Sequence, residues 1–198
     1  MWIINGSPHS DRITQPQNFT ICEFSPQALE AFDRSVSAAL NSEQKLYPIG
    51  INSLGGDGDI MCGFMSVIDR ARSKGMIFST YTNSRAYSAG AIIWSYGCKG
   101  LRFVAPHAKI LYHSVSFGVR GKAPEMKSIV NEVHNEQDIL FEKISRHLGK
   151  PKTWLSSKLK KKSDYDWTLS AEEVEKEGIG RAYTPSYILK VSEEFLIS

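Results

Sequence analysis

Apolar residues along this chain recur with two alternating periods, and the switches between them mark its elements. Residues 18–24 alternate as a strand does, and Ser25-Pro26 then supplies a helix cap with proline at the first helical position. Leu29, Phe32, Val36 and Leu40 follow at helical spacing, which predicts an amphipathic helix over about 26–41. Residues 47–52 read as a short buried strand that opens into the loop Ser53-Leu-Gly-Gly-Asp-Gly58. A second helix carries Met61, Phe64, Met65, Ile68 and Ala71 on one face, and residues 76–82 form the next strand. Strand and helix in alternation predict βαβ units around a parallel sheet, an α/β class.

Further along, Ser88–Tyr96 reads as a short buried helix closed by Gly97, and 101–104 and 109–112 as short strands around Pro106. The character then changes. Residues 123–148 hold one long amphipathic pattern through Met126, Ile129, Val133, Leu140, Ile144 and Leu148, preceded by Gly118 and Gly121. A helix of that length is expected to project from the sheet as an arm, so about 114–148 is read as a handle. A shorter helix follows Pro151, and the capping box Ser170-Ala-Glu-Glu173 starts a last one that ends at Gly178. Residues 1–18 are polar and irregular and read as an arm or leader, with 19–198 as a single domain.

Composition narrows the function classes. With 41% hydrophobic and 23% charged residues the chain is ordinary globular material, which excludes disordered and fibrous classes. A net charge of +3 gives no reason to expect a nucleic-acid partner. The Lys158, Lys160, Lys161 and Lys162 run reads as a solvated helix face. Cys22, Cys62 and Cys98 lie far apart, so neither a disulfide framework nor a zinc site is expected, and the expected home is a reducing cytoplasm. No stretch reaches the roughly 20 apolar residues of a membrane helix, and no signal peptide is read at the start. No metal and no cofactor are expected.

Singly, the chemical candidates have bland readings: Ser88 as a helix cap, His113 as a residue at a sheet edge, Asp166 as a turn residue, and 52–56 as a flexible turn. Together they form a coherent set. A nucleophilic serine needs a base within reach and a third group to fix the tautomer of that base. It also needs N–H donors where an oxyanion develops. Ser88 opens a helix, where free N–H groups lie beside its hydroxyl. The Gly55-Gly56 turn offers another donor without side-chain obstruction.

Five segments carry a family resemblance: Ile-Asn-Ser-Leu-Gly-Gly, Ala-Tyr-Ser-Ala-Gly-Ala, Gly-Leu-Arg-Phe-Val-Ala-Pro, the strand ending at His113, and Leu-Ser-Ala-Glu-Glu-Val-Glu-Lys-Glu-Gly-Ile. They occur in the order found in the Clp protease proteolytic subunit, and over about 19–184 the chain resembles that family. The resemblance implies a crotonase-like spiral of βαβ units with a protruding helical handle. It implies Ser88 as nucleophile, His113 as base and Asp166 as third member of the triad, with the backbone N–H groups of Gly56 and Ala89 as oxyanion hole. It further implies a homo-oligomer of stacked heptameric rings, unfolded polypeptides as substrates, and a separate AAA+ ATPase unfoldase, since this chain has no G-x-x-x-x-G-K-[ST] motif. The chain departs from the family pattern at Leu54 (usually proline), at Arg85-Ala86-Tyr87 (usually small residues) and after His113, where Ser-Val replaces Gln-Pro. Tyr165 stands in place of a ring-to-ring arginine, next to Asp164.

The alternative is a catalytically idle assembly subunit of the same fold, against which stands the presence of all three triad residues. An acyl-CoA enzyme on the shared fold would use carboxylates and oxyanion donors without a serine–histidine pair. A serine–lysine dyad peptidase would normally bring a membrane anchor, which is not evident.

Overall fold

The computed structural model describes residues 16–118, 120–162 and 166–183. Nearly all of the expected arm lies outside the described residues, as do Asp164 and Tyr165. In chain order the elements are β1 (Phe19–Ile21), α1 (Pro26–Asn41), β2 (Leu46–Ile51), α2 (Gly58–Arg72), β3 (Ile77–Thr82), β4 (Arg85–Tyr87) and α3 (Ala89–Ser95). Then come β5 (Arg102–Val104), β6 (Lys109–His113), α4 (Ala123–His147), α5 (Trp154–Lys160), β7 (Asp166–Leu169), α6 (Ala171–Lys176) and β8 (Arg181–Ala182). The class is mixed α/β with a mostly parallel sheet.

One sheet has the order β1-β2-β3-β5-β8 with every pair parallel. α1 and α2 cross between its first strands and bury Phe32, Val36 and Ala39 from one helix, and Phe64, Ile68 and Ala71 from the other. The Phe32 ring lies 5.0 Å from Phe64, and Tyr47 lies 5.6 Å from Phe78. Each of the buried Phe, Val and Ile side chains contributes roughly 1.5–3 kcal/mol of hydrophobic stabilisation. α3 is buried along its whole length. Trp94, its second-to-last residue, donates its indole N–H to the Phe103 carbonyl at 3.0 Å, and its own carbonyl accepts from the Thr80 hydroxyl at 2.7 Å. The buried Arg102 donates to Gly97 O at 2.7 Å and through Nε to Ile179 O, tying the end of α3 to the segment that leads into β8.

A second, three-stranded sheet has the order β4-β6-β7, with β4 and β6 parallel and β6 and β7 antiparallel. β4, β7 and β8 are absent from the sequence expectation. Strands of two to four residues show no measurable alternation, and tertiary pairing makes them. Asp166 accordingly opens a strand rather than sitting in a plain turn.

α4 runs from Ala123 to His147, within one residue of the expected span. Only Phe141, Ile144 and Ser145, near its end, are buried. The expected stripe at Met126, Ile129 and Val133 is not buried within the chain. The lysine run falls on α5 and just after it. Lys160, Lys161 and Lys162 are exposed as expected, whereas Lys158 pairs with Glu177 and lies over the Trp154 and Trp167 rings.

Candidate active site

The small sheet gathers the chemical residues. Tyr87 at the end of β4 pairs with Leu111 of β6, and the next residue, Ser88, donates its N–H to the Leu111 carbonyl at 2.9 Å. His113 is the last residue of the same β6. Because β7 runs antiparallel to β6, its first residue, Asp166, is the register partner of His113. Ser88, just after β4, His113, the last residue of β6, and Asp166, the first of β7, therefore lie at the same end of one sheet.

Ser88 has φ 54 and ψ −122, a conformation that a side chain adopts only under constraint. It stands at the sharp turn from β4 into α3, and its hydroxyl makes no cap hydrogen bond to the helix. The bland cap reading therefore fails. A serine on a strained strand-to-helix turn projects its hydroxyl outward, the geometry of a nucleophile elbow.

The 52–56 turn is not flexible. Ser53 donates its N–H to Arg85 O and its carbonyl accepts from Tyr87 N, both at 3.0 Å, so the turn is zipped to β4. The buried Ser53 hydroxyl accepts from Gly55 N at 3.1 Å. At Gly55, φ is +107, and a Cβ would lie 2.5 Å from Ser88 Cβ and 3.0 Å from its Oγ. Only glycine lets the turn press this closely on the serine. Gly56 is bridged to Phe24 on the other side. Ala89 begins α3, so its N–H has no intrahelical acceptor.

His113 is half-buried, and its Nδ1 lies 2.5 Å from the carbonyl oxygen of Ser114. A carbonyl only accepts, so Nδ1 carries the proton and the lone pair of the neutral ring is on Nε2. The next peptide N–H, that of Val115, donates to Gln137 Oε1 of α4 at 2.7 Å. Beneath this edge, Tyr112 and Trp167 stack with centroids 5.8 Å apart, and Trp154 meets Trp167 edge-on at 5.3 Å. The Tyr112 hydroxyl is 2.6 Å from Ser95 Oγ, and complete burial pushes its pKa up to about 12. The strands that carry His113 and Asp166 are thus locked to the core on their other face.

Among the described residues no group of three His, Cys, Asp or Glu converges as metal ligands would. Also among them, no helix is long and apolar enough to cross a membrane. The sequence reading named the three side chains and the glycine turn. It missed Ser114 and Gln137, because a carbonyl and a helix-face glutamine leave no pattern in a sequence. The one available signal was that Val115 has an N–H where a proline would have none.

A family model described as Clp protease matches residues 35–181. That span begins inside α1, ends in β8 and takes in every residue of the edge described above. With most of the chain matched, including the strands and turns that carry Ser88, His113 and Asp166, the chain belongs to the Clp protease family, a family of peptidases.

Proposed function

We propose that the protein is a serine endopeptidase that hydrolyses peptide bonds of unfolded polypeptides, with Ser88 as nucleophile, His113 as base and Asp166 as its orienting partner. Ser88 Oγ attacks the scissile carbonyl while His113 Nε2 takes its proton. The developing oxyanion is held by the backbone N–H groups of Gly56 and Ala89, which flank the serine from the turn and from α3. His113 then gives the proton to the leaving amine, which departs and leaves an acyl ester on Ser88. A water, deprotonated by the same histidine, hydrolyses that ester. Asp166 stabilises the charged imidazole without itself becoming protonated.

The observation that supports this reading is the register of the β4-β6-β7 sheet, in which the serine turn, His113 and Asp166 lie at the same end. Residues 115–118 beside His113 are exposed and belong to no strand among the described residues, which suits an unfolded substrate that adds to them as a strand. In this reading the fold is the crotonase-like spiral, α4 is its handle, and stacked homo-oligomeric rings, heptameric in the family, enclose the serines in a chamber. A separate ATPase unfoldase feeds the chamber, and the protein works in the cytoplasm.

The test is covalent labelling by a serine-reactive phosphonate together with hydrolysis of a short peptide. Both are expected in the parent protein and absent in Ser88→Ala, which still folds and assembles. Undiminished turnover by that variant removes the mechanism.

A further inference from the structure

One peptide unit beside the proposed base is engaged at both ends. The Ser114 carbonyl accepts from His113 Nδ1 at 2.5 Å, and the Val115 N–H of the same plane donates to Gln137 Oε1 at 2.7 Å. The carbonyl and N–H of a peptide unit turn together, because the bond between them is rigid. Residues 114–118 belong to no strand among the described residues, and the Val115 side chain is exposed. Gln137, fixed on α4, therefore sets the rotation of this plane and with it the direction of the carbonyl that holds the His113 proton.

We propose that Gln137 is a positioning residue for His113, acting through the Ser114–Val115 peptide; this rests on the reading of Ser88 and His113 as nucleophile and base. The neutral carbonyl keeps the proton on Nδ1 and the lone pair on Nε2, the form that can accept the proton of Ser88. Asp166 is in register with His113, and as the orienting partner in the proposed mechanism it would accept the same proton. The tautomer is then held twice, once by a carboxylate and once by a backbone carbonyl whose direction depends on α4. Removing either acceptor leaves the other in place, and removing both releases the ring.

The experiment measures inactivation of the full-length protein by a small organophosphorus fluoride. Its reaction forms a bond from Ser88 Oγ to phosphorus, expels fluoride and passes the serine proton to His113. The probe has no peptide to lie along 114–118, so its rate reports the serine–histidine pair and not the substrate strand. Gln137→Leu keeps helix propensity and removes the acceptor. It is expected to slow inactivation about three- to tenfold, the size of one modest hydrogen bond, and to lower kcat on a short peptide by a similar factor. Gln137→Glu restores an acceptor oxygen and is expected to recover most of that loss. In an Asp166→Asn background the slowing by Gln137→Leu is expected to be larger than in the parent. An inactivation rate that Gln137→Leu leaves unchanged, within about twofold in both backgrounds, overturns the positioning role while leaving Ser88 as nucleophile. So does an equal loss in Gln137→Glu. Absence of labelling at Ser88 in the parent protein overturns the underlying reading instead.

Discussion

His113 and Asp166 face each other across an antiparallel pair, the last residue of β6 in register with the first of β7. Directly opposed residues place their Cβ atoms roughly 4.5–5.5 Å apart on one face of the sheet, within reach of an imidazole and a carboxylate. A slip of one residue would turn every side chain of β7 to the other face. The neighbouring pair Tyr112 and Trp167, stacked in the core, forbids that slip. Asp166→Asn is therefore expected to lower kcat on a short peptide by about 10²–10⁴-fold with little change in KM. The upper end is the serine-protease template, where the loss comes from the wrong tautomer. The lower end applies because the Ser114 carbonyl also holds Nδ1. Steady-state kinetics decide it, and a loss under about tenfold would remove Asp166 from the mechanism.

Gly55 offers a sharper probe of the serine turn. Gly55→Ala would set a methyl group 2.5 Å from Ser88 Cβ at a φ of +107. Displacing a nucleophile by about 1 Å costs on the order of 10²-fold in rate, and that loss in kcat/KM is expected. Gly75→Ala is the control, since Gly75 also has positive φ, +88, but nothing stands within 4 Å of its added Cβ. It should lower stability by about 1 kcal/mol and leave the peptidase rate alone. Equal rate losses in the two variants would show that strain, not contact with Ser88, is what matters.

His147 gives the fold a pH dependence separate from catalysis. Its ring stacks on Tyr96 at 5.1 Å and donates Nε2–H to Gly97 O at 3.2 Å. Burial, followed by the nearby Arg72 guanidinium, holds its pKa below the ordinary 6.5. The unfolded chain therefore binds a proton near pH 6.5 that the native protein still refuses. The associated stability is complete above that pH and falls as the pH drops below it. The urea midpoint is expected to fall between about pH 7.5 and about pH 5.5. His147→Phe, which keeps the stack, should flatten that fall. An unchanged slope would place the dependence elsewhere.

α4 offers a test of the proposed assembly. Ile129 is 41% exposed and Ile139 is 70% exposed, on a helix that buries side chains only near its end. Such faces are covered in a self-complementary contact when two copies pack about a two-fold axis. Light scattering at micromolar concentration should give a mass many times 22.2 kDa. Ile129→Glu with Ile139→Glu should lower that mass. An active species with the mass of one chain would sink the ring assembly.

The long periodic elements were legible from sequence. α1, α2 and α4 begin and end within a few residues of their apolar periods, because burial of one stripe dictates each of them. The site was legible only as a set of residue types. Nothing in the order of residues says that Arg85–Tyr87 would join Lys109–His113 in parallel, or that Asp166 would open a strand beside it. Those pairings are long-range, and they decide which residues share that end of the small sheet. Ser114 was hidden for a different reason, since the backbone carbonyl is common to every residue and its direction is a property of the fold.

The left-handed backbone at Ser88 has one further consequence, for how an inactive form of the protein should be made. At φ 54 and ψ −122 glycine would be at ease, whereas any residue with a Cβ is strained by roughly 1–3 kcal/mol. Alanine shares that strain with serine, but glycine relieves it. Ser88→Gly should therefore melt above Ser88→Ala and, if relief outweighs the added chain entropy of glycine, above the parent as well. Position 88 would then be a place where the chain gives up durability for the sake of a hydroxyl, and the gap between the two inactive variants would measure how much.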